Sequence, residues 1–166
     1  MIRIQLLQSR GPGTGRAQRI QIVWRDTQEV TASADEVRRT ALALLRVAER
    51  SEVRTRLILQ GMPHEQAAKA LGDVAEGAEG EFQVRLGPGP DTVRLTRGDT
   101  GMLLATEYAR TMGHDWLRVA ESADADHRLV RALEHATALT PEQVDDVFAY
   151  LRLLRCQDPA TEITDN

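Results

Sequence analysis

Residues 82–96 read FQVRLGPGPDTVRLT, in which apolar and polar residues alternate on both sides of a Gly-Pro-Gly-Pro run. Alternation with a period of two is typical of a strand with one buried face, and glycine and proline are typical of a turn. The pattern therefore predicts two strands, at about residues 81–86 and 92–96, that pair as an antiparallel hairpin.

The N-terminal part of the chain has the same arrangement. Residues 2–8 and 18–24 also alternate, and residues 9–16 between them are rich in turn-forming residues. Two such strand pairs can join into one four-stranded antiparallel sheet. Because each strand has one apolar face, helices are needed to cover that face of the sheet.

Two helices are predicted between the strand pairs. Ser33 followed by Glu36 is a capping box, so a helix should begin near Ala34 and continue towards Gly61. A short helix should follow from Pro63 to Leu71, with Gly72 ending it.

A helical region is predicted over about residues 100–155. One helix has a stripe of small and apolar residues from Met102 to Ala120, which Gly113 is expected to interrupt. A second helix is expected near residues 125–138 and a third near 141–155. The third has the strongest start signal, because Thr140 to Gln143 combine an N-cap, a proline at the first position and a capping-box glutamine.

The predicted order β-β-α-(α)-β-β-α-α-α defines an α+β fold. A chain of 166 residues with 42% hydrophobic residues can build a core of its own. We therefore expect a single domain over residues 1–156 and a flexible tail over residues 157–166, which contain few apolar side chains.

Composition argues against several classes of protein. The only cysteine, Cys156, excludes an intramolecular disulfide and a multi-cysteine zinc site, and favours a reducing compartment. The first residues alternate instead of forming a signal sequence, and no apolar run approaches the length of a membrane span. We expect a cytoplasmic protein with no membrane association and no cofactor.

Charge is distributed unevenly along the chain. Residues 1–60 have a net charge of +5 and residues 61–166 a net charge of −9. This asymmetry favours an acidic partner for the N-terminal third, or self-association, although plain enzymes and scaffolds also show it.

Five arginines are the candidate interaction residues. Arg39, Arg46, Arg50 and Arg54, which we call the arginine stripe, recur on the face of the first helix opposite its core face, and Arg16 lies in the loop of the N-terminal hairpin. A stripe of this kind can follow a nucleic-acid backbone or an acidic groove. It is also typical of any solvated helix, and no aromatic residues are interleaved for base stacking.

Residues 56–72 have the form of the first part of a helix-turn-helix. Asp73, Glu76, Glu79 and Glu81 follow where a recognition helix should be, and these carboxylates would be repelled by phosphates. The spacing therefore favours a plain helical hairpin.

Other polar groups support no catalytic or metal site. Asp124 and Asp126, beside His127, fit a helix start better than a metal site, because no second histidine follows at a helical spacing. His114 and Asp115 are adjacent on a helix and so diverge by about 100°. No catalytic residue and no metal ligand is predicted.

Two functions from different classes remain open. The first is a non-enzymatic interaction or regulatory protein, acting as a homodimer or as a subunit of a larger assembly, with the sheet edges and the stripe from Met102 to Ala120 as packing surfaces. The second is a nucleic-acid-associated regulator that uses the basic N-terminal third. A small enzyme without a recognisable motif ranks third.

Overall fold

The computed structural model of the chain describes residues 3–7, 19–24, 28–72, 74–136 and 139–156. Within these residues three strands and two helices are followed by three further strands and two further helices. This order confirms the predicted α+β class. Each half begins with an antiparallel meander that leads into a long helix.

The first sheet contains β1 (Arg3–Leu7), β2 (Arg19–Trp24) and β3 (Gln28–Ser33), in that order and antiparallel. β1 and β2 confirm the first predicted strand pair, and Ile20 and Ile22 of β2 are fully buried. β3 is an addition to the predicted strands. Its only apolar residues are Val30 and Ala32, which pair with Ile22 and Ile20 and extend the same face.

The second sheet contains β4 (Gln83–Leu86), β5 (Thr92–Arg97) and β6 (Thr100–Ala105), again in chain order and antiparallel. β4 and β5 confirm the predicted hairpin. Val84, Leu86, Val93 and Leu95 form its buried face, as the period-two pattern requires.

The expected single four-stranded sheet is wrong in its strand count, since the described strands form two separate three-stranded sheets. Periodicity also predicts a helix from about residue 99, whereas residues 100–105 are β6. Gly98, with φ at +55°, and Asp99 turn the chain back along β5, so that Met102 pairs with Leu95. A short apolar run is compatible with the periodicity of a helix or of a strand. Residues 100–105 form a strand because the free edge of β5 offers backbone groups for hydrogen bonding.

α1 (Ala34–Leu59) begins where the capping signal predicts. The Ser33 hydroxyl accepts a hydrogen bond from the Glu36 N–H at 3.1 Å. The reciprocal half of the capping box is missing, because the Glu36 carboxylate accepts from Arg97 at 2.6 Å instead. The helix packs against strands of both sheets, and α2 (His64–Leu71) packs against α1 as the predicted helical hairpin.

α3 (Thr106–Ala136) is continuous, so the predicted break into two helices is wrong. A Cβ atom at Gly113 would lie 2.9 Å from the Leu45 side chain of α1. Gly113 therefore permits close packing of α3 on α1 instead of interrupting α3. Asp124 lies inside the helix, where it pairs with Arg38 instead of capping a new helix.

α4 (Pro141–Cys156) confirms the last predicted helix. The Gln143 side chain accepts from the Thr140 N–H at 2.9 Å, and the Thr140 hydroxyl accepts from the Gln143 N–H at 3.4 Å. Both halves of the predicted capping box are present.

The chain divides into two compact units, Met1–Asp124 and Ala125–Asn166. In the first, the core includes Phe82 and Trp116, whose rings meet edge to face with centroids 5.3 Å apart. In the second, Val130 and Val144 form a small apolar cluster. The single domain over residues 1–156 stays a prediction, and the expected tail over residues 157–166 lies outside the described residues.

Candidate anion-binding site

The arginine stripe is paired within the chain at three of its positions. Arg39 contacts the Glu81 carboxylate at 2.5 Å, while Arg46 and Arg50 contact opposite oxygens of Glu76 at 2.6 and 2.8 Å. The hydrogen bond to Glu81 and the charge of its carboxylate raise the pKa of the Arg39 guanidinium above its ordinary value. Arg16, the fifth candidate, lies outside the described residues.

The carboxylates come from an ordered acidic segment, residues 74–81. The Glu76 backbone bridges to Val84 of β4 through two hydrogen bonds of 2.8 Å. At Gly77, with φ at +131°, a Cβ atom would lie 2.2 Å from the Phe82 carbonyl oxygen, so only glycine fits this turn. The backbone thus holds Glu76 against α1. The carboxylates of Glu76 and Glu81, which follow the predicted helical hairpin in place of a recognition helix, neutralise part of the arginine stripe.

Arg54, the fourth stripe residue, is a buried structural group with 2% of its surface exposed. Its guanidinium donates to the carbonyl oxygens of Gly87 at 2.8 Å and of Pro90 and Thr92 at 3.2 Å, and also to that of Gly89. Arg54 therefore fixes the Gly-Pro-Gly-Pro turn between β4 and β5. The sequence placed it on a solvated face because a periodicity of 3.6 cannot reveal a loop that folds over the helix.

A cleft of about 550 Å³ lies between this turn and α2. We call it the cationic cleft. It is lined by His64, Ala68 and Lys69 of α2, by Arg85, Leu86, Gly87, Pro88 and Arg94 of the β4–β5 hairpin, and by Arg54 of α1. Four of these residues are permanent cations and none is a carboxylate.

Arg85 and Arg94 are directly opposite each other on β4 and β5. They occupy the sheet face opposite Val84 and Leu95, which are buried in the core. Like charges in directly opposed positions destabilise a sheet. Among the residues that the structure describes, no ion pair or hydrogen bond relieves the charge of Arg85, Arg94 or Lys69.

Arg94 also lines a second, smaller depression of about 390 Å³ with Pro88, Gly101, Met102 and Leu103. Leu103 pairs with Arg94 across β5 and β6, and it is 55% exposed. The open face of the second sheet therefore continues from the cationic cleft into a partly apolar surface.

The sequence reasoning missed Lys69, Arg85 and Arg94, although a signal for the two arginines was present. In the predicted hairpin, residues 85 and 94 alternate with the apolar residues of their strands and therefore share the non-core face. Lys69 has no comparable signal, since only the packing of α2 on α1 brings it to the hairpin.

A second polar cluster surrounds Glu36, which is buried. The carboxylate contacts Arg97 at 2.6 Å, and the Arg97 guanidinium lies 4.7 Å from the centre of the Phe82 ring. Burial raises the pKa of the Glu36 carboxyl above its ordinary value, against the opposing effect of the Arg97 cation, and Glu81 raises it further. This cluster joins α1 to the second sheet.

Within the described part of the chain, no group of three or more His, Cys, Asp or Glu residues is placed to hold a metal ion. None of the helices in this part of the chain is both long and apolar enough to cross a membrane.

The stripe from Met102 to Ala120 is not a free packing surface. Ala109, Met112, Trp116 and Ala120 are buried in the core of the first unit, and Met102 belongs to β6 instead of the helix.

Comparison with protein-family models, with curated proteins and with solved structures finds no match for this chain. A function for this chain is therefore inferred from the geometry of the cationic cleft.

Proposed function

We propose that this protein is a non-enzymatic interaction or regulatory protein that binds an anionic partner in the cationic cleft. The observation that supports this most is the grouping of Lys69, Arg85 and Arg94 around one cleft with no carboxylate to balance them among the described residues. Elsewhere on the same molecule, Arg39, Arg46 and Arg50 do have such carboxylates.

The opposition of Arg85 and Arg94 supports a functional reading of the cleft. Direct opposition of like charges lowers the stability of the hairpin. Features that break a local rule of stability concentrate at functional sites, where a ligand supplies what the fold lacks. An anion between the two guanidinium groups would turn repulsion into attraction.

The chemistry of the lining favours binding over catalysis. His64 and Lys69 are the lining residues suited to proton transfer, and the described lining has no carboxylate, serine or cysteine beside them. General acid–base or nucleophilic catalysis needs such a partner to orient or activate the reacting group. The cationic side chains instead suit recognition and charge neutralisation.

Cellular context and assembly are part of the proposal. One cysteine in 166 residues supports a reducing, cytoplasmic location.

We propose a homodimer or a subunit of a larger assembly, for which the exposed Leu103 beside the cationic cleft is a contact candidate. Light scattering of the purified chain measures its mass, and a monomer at all concentrations contradicts the homodimer.

The alternative of a nucleic-acid-associated regulator depends on the +5 charge of residues 1–60. Phosphates would have to displace Glu76 from Arg46 and Arg50, and Glu81 from Arg39. Fluorescence anisotropy with a labelled oligonucleotide at low salt tests this. Binding that Arg46→Gln/Arg50→Gln abolishes and Arg85→Gln/Arg94→Gln leaves unchanged would favour the stripe over the cleft.

The proposed function is tested with a panel of anions in a thermal shift assay. The panel contains tripolyphosphate, citrate and an acidic peptide, each at about 50 and about 300 mM NaCl, because salt screens exposed charges. We expect at least one anion to raise the melting temperature of the wild type, more at the lower salt, and not to raise that of Arg85→Gln/Arg94→Gln. Equal shifts in both proteins would refute the site.

A further inference from the structure

The charge of the cationic cleft determines which anion it can neutralise. Lys69, Arg85 and Arg94 supply three positive charges, and no lining residue is acidic. A carboxylate supplies one negative charge and a phosphate monoester about 1.5 to 2 at neutral pH. A chain of two or three phosphates supplies enough negative charge to balance these three cations.

The arrangement of the cations suits phosphate oxygens. Directly opposed residues on antiparallel strands have Cβ atoms about 4.5–5.5 Å apart, so Arg85 and Arg94 can bring two guanidinium groups to the same ligand. A guanidinium binds phosphate with two parallel hydrogen bonds, and a lysine ammonium acts as a point charge. Lys69 supplies that charge from α2.

The lining offers little that selects a nucleobase. It contains no Phe, Tyr or Trp ring, its one imidazole, His64, is exposed, and its apolar members are Ala68, Leu86 and Pro88. Recognition of a base usually needs a stacking partner. The volume of about 550 Å³ lies within the usual range of small-molecule sites, roughly 300–1,000 Å³.

We infer that the cationic cleft binds a linear polyphosphate group of two or more phosphates, held by Arg85, Arg94 and Lys69. This inference rests on the proposed function and adds the chemical class of the ligand. The group can belong to an inorganic chain or to the phosphate end of a nucleotide. Because the phosphates make the contacts, both sources should bind with similar affinity.

Isothermal titration calorimetry on the full chain tests this with tripolyphosphate, ATP, orthophosphate and citrate. We expect tripolyphosphate and ATP to bind with dissociation constants within about threefold of each other, and orthophosphate to bind at least about tenfold more weakly. Arg85→Gln, Arg94→Gln and Lys69→Gln should each weaken tripolyphosphate binding by about tenfold or more, since each removes a charge-assisted hydrogen bond. Arg118→Gln, at an exposed arginine of α3, is the matched control and should change nothing.

Folding of the variants is checked by thermal melting without ligand. Arg85→Gln/Arg94→Gln removes a repulsion, so it should melt at or above the temperature of the wild type. Loss of binding in a variant that is at least as stable identifies the cleft as the binding site. If the double variant melts lower, Lys69→Gln, which lies outside the sheet, carries the test alone.

The outcomes separate this inference from the proposed function. If citrate or an acidic peptide binds through Arg85 and Arg94 while tripolyphosphate does not, the polyphosphate inference is wrong and the anion-binding function stands. Binding of ATP without binding of tripolyphosphate also overturns the inference, since the base would then be recognised. If no anion binds in a manner that depends on these arginines, both proposals fail.

Discussion

Replacing Arg54 with methionine removes the guanidinium that holds the turn between β4 and β5. Methionine keeps the length and most of the volume of the side chain, so the change isolates the hydrogen bonds. The Gly87 carbonyl accepts at 2.8 Å in a buried position, and the Pro90 and Thr92 carbonyls accept at 3.2 Å in partly exposed positions.

The expected loss follows from these positions. A buried carbonyl left without a donor costs about 1–3 kcal/mol, which applies to Gly87. At Pro90 and Thr92 water can partly replace the guanidinium, so each hydrogen bond contributes about 0.5–1 kcal/mol. Relief from burying a charge offsets part of the sum. We expect Arg54→Met to lower the free energy of unfolding by about 3 kcal/mol, a large share of the 5–15 kcal/mol typical of a domain.

Urea denaturation followed by circular dichroism measures this loss. With an m value of about 2 kcal/mol per molar, the midpoint should fall by about 1.5 M. Arg56→Met is the matched control, because Arg56 lies on the same helix with its side chain 75% exposed and 4.0 Å from Glu52; its effect should stay within about 0.5 kcal/mol. Arg54→Lys should fall between the two, since it keeps the charge and loses the planar fork. A loss below about 1 kcal/mol in Arg54→Met would refute the structural role of Arg54.

Three further changes test other parts of the fold. The folded-state pKa of Glu36 is raised above 4.5, so the native chain binds this proton more tightly than the unfolded chain. The free energy of unfolding of the wild type, relative to that of Glu36→Gln, should therefore fall as the pH rises from 4.5 through the raised pKa. Urea denaturation across this pH range measures the difference, and a rise in the relative stability of the wild type would contradict the raised pKa. Gly77→Ala should lower the free energy of unfolding by about 3 kcal/mol, because the backbone conformation is strained for alanine and the new Cβ atom would meet the Phe82 carbonyl oxygen. Gly80→Ala, also at a positive φ but with no atom within 4 Å of the new Cβ atom, should cost about 1–2 kcal/mol. Equal losses would show that the contact with the Phe82 oxygen is unimportant. Gly113→Leu should lower the free energy of unfolding by about 1–3 kcal/mol through overpacking against Leu45. The loss should be smaller when Leu45 is also replaced with alanine, and strictly additive effects of the two substitutions would contradict this contact.

Five arginines of this protein have three different environments that their spacing does not distinguish. Arg46 and Arg50 pair with Glu76 at the surface, Arg54 is buried among carbonyl groups, and Arg85 and Arg94 face each other across two strands. Of these five arginines, only Arg85 and Arg94 have no ion pair or hydrogen bond among the described residues. Functional candidates in an arginine-rich chain are therefore identified by their surroundings.

The sequence alone predicts the elements whose signals are local. The hairpin at residues 81–96, the start of α1 at Ser33 and the start of α4 at Thr140 all match the structure. In each case the residues that make the decisive hydrogen bonds or share the buried face are only a few positions apart.

Tertiary structure decides what depends on groups distant in the chain. β6 forms a strand because the edge of β5 accepts it, and α3 continues through Gly113 because α1 lies against it. The roles of Arg54 and Lys69 follow from the turn at residues 87–91 that packs beside them. Periodicity reports which face of an element is apolar, but the partner that meets each polar side chain is supplied by the fold, because it comes from another part of the chain.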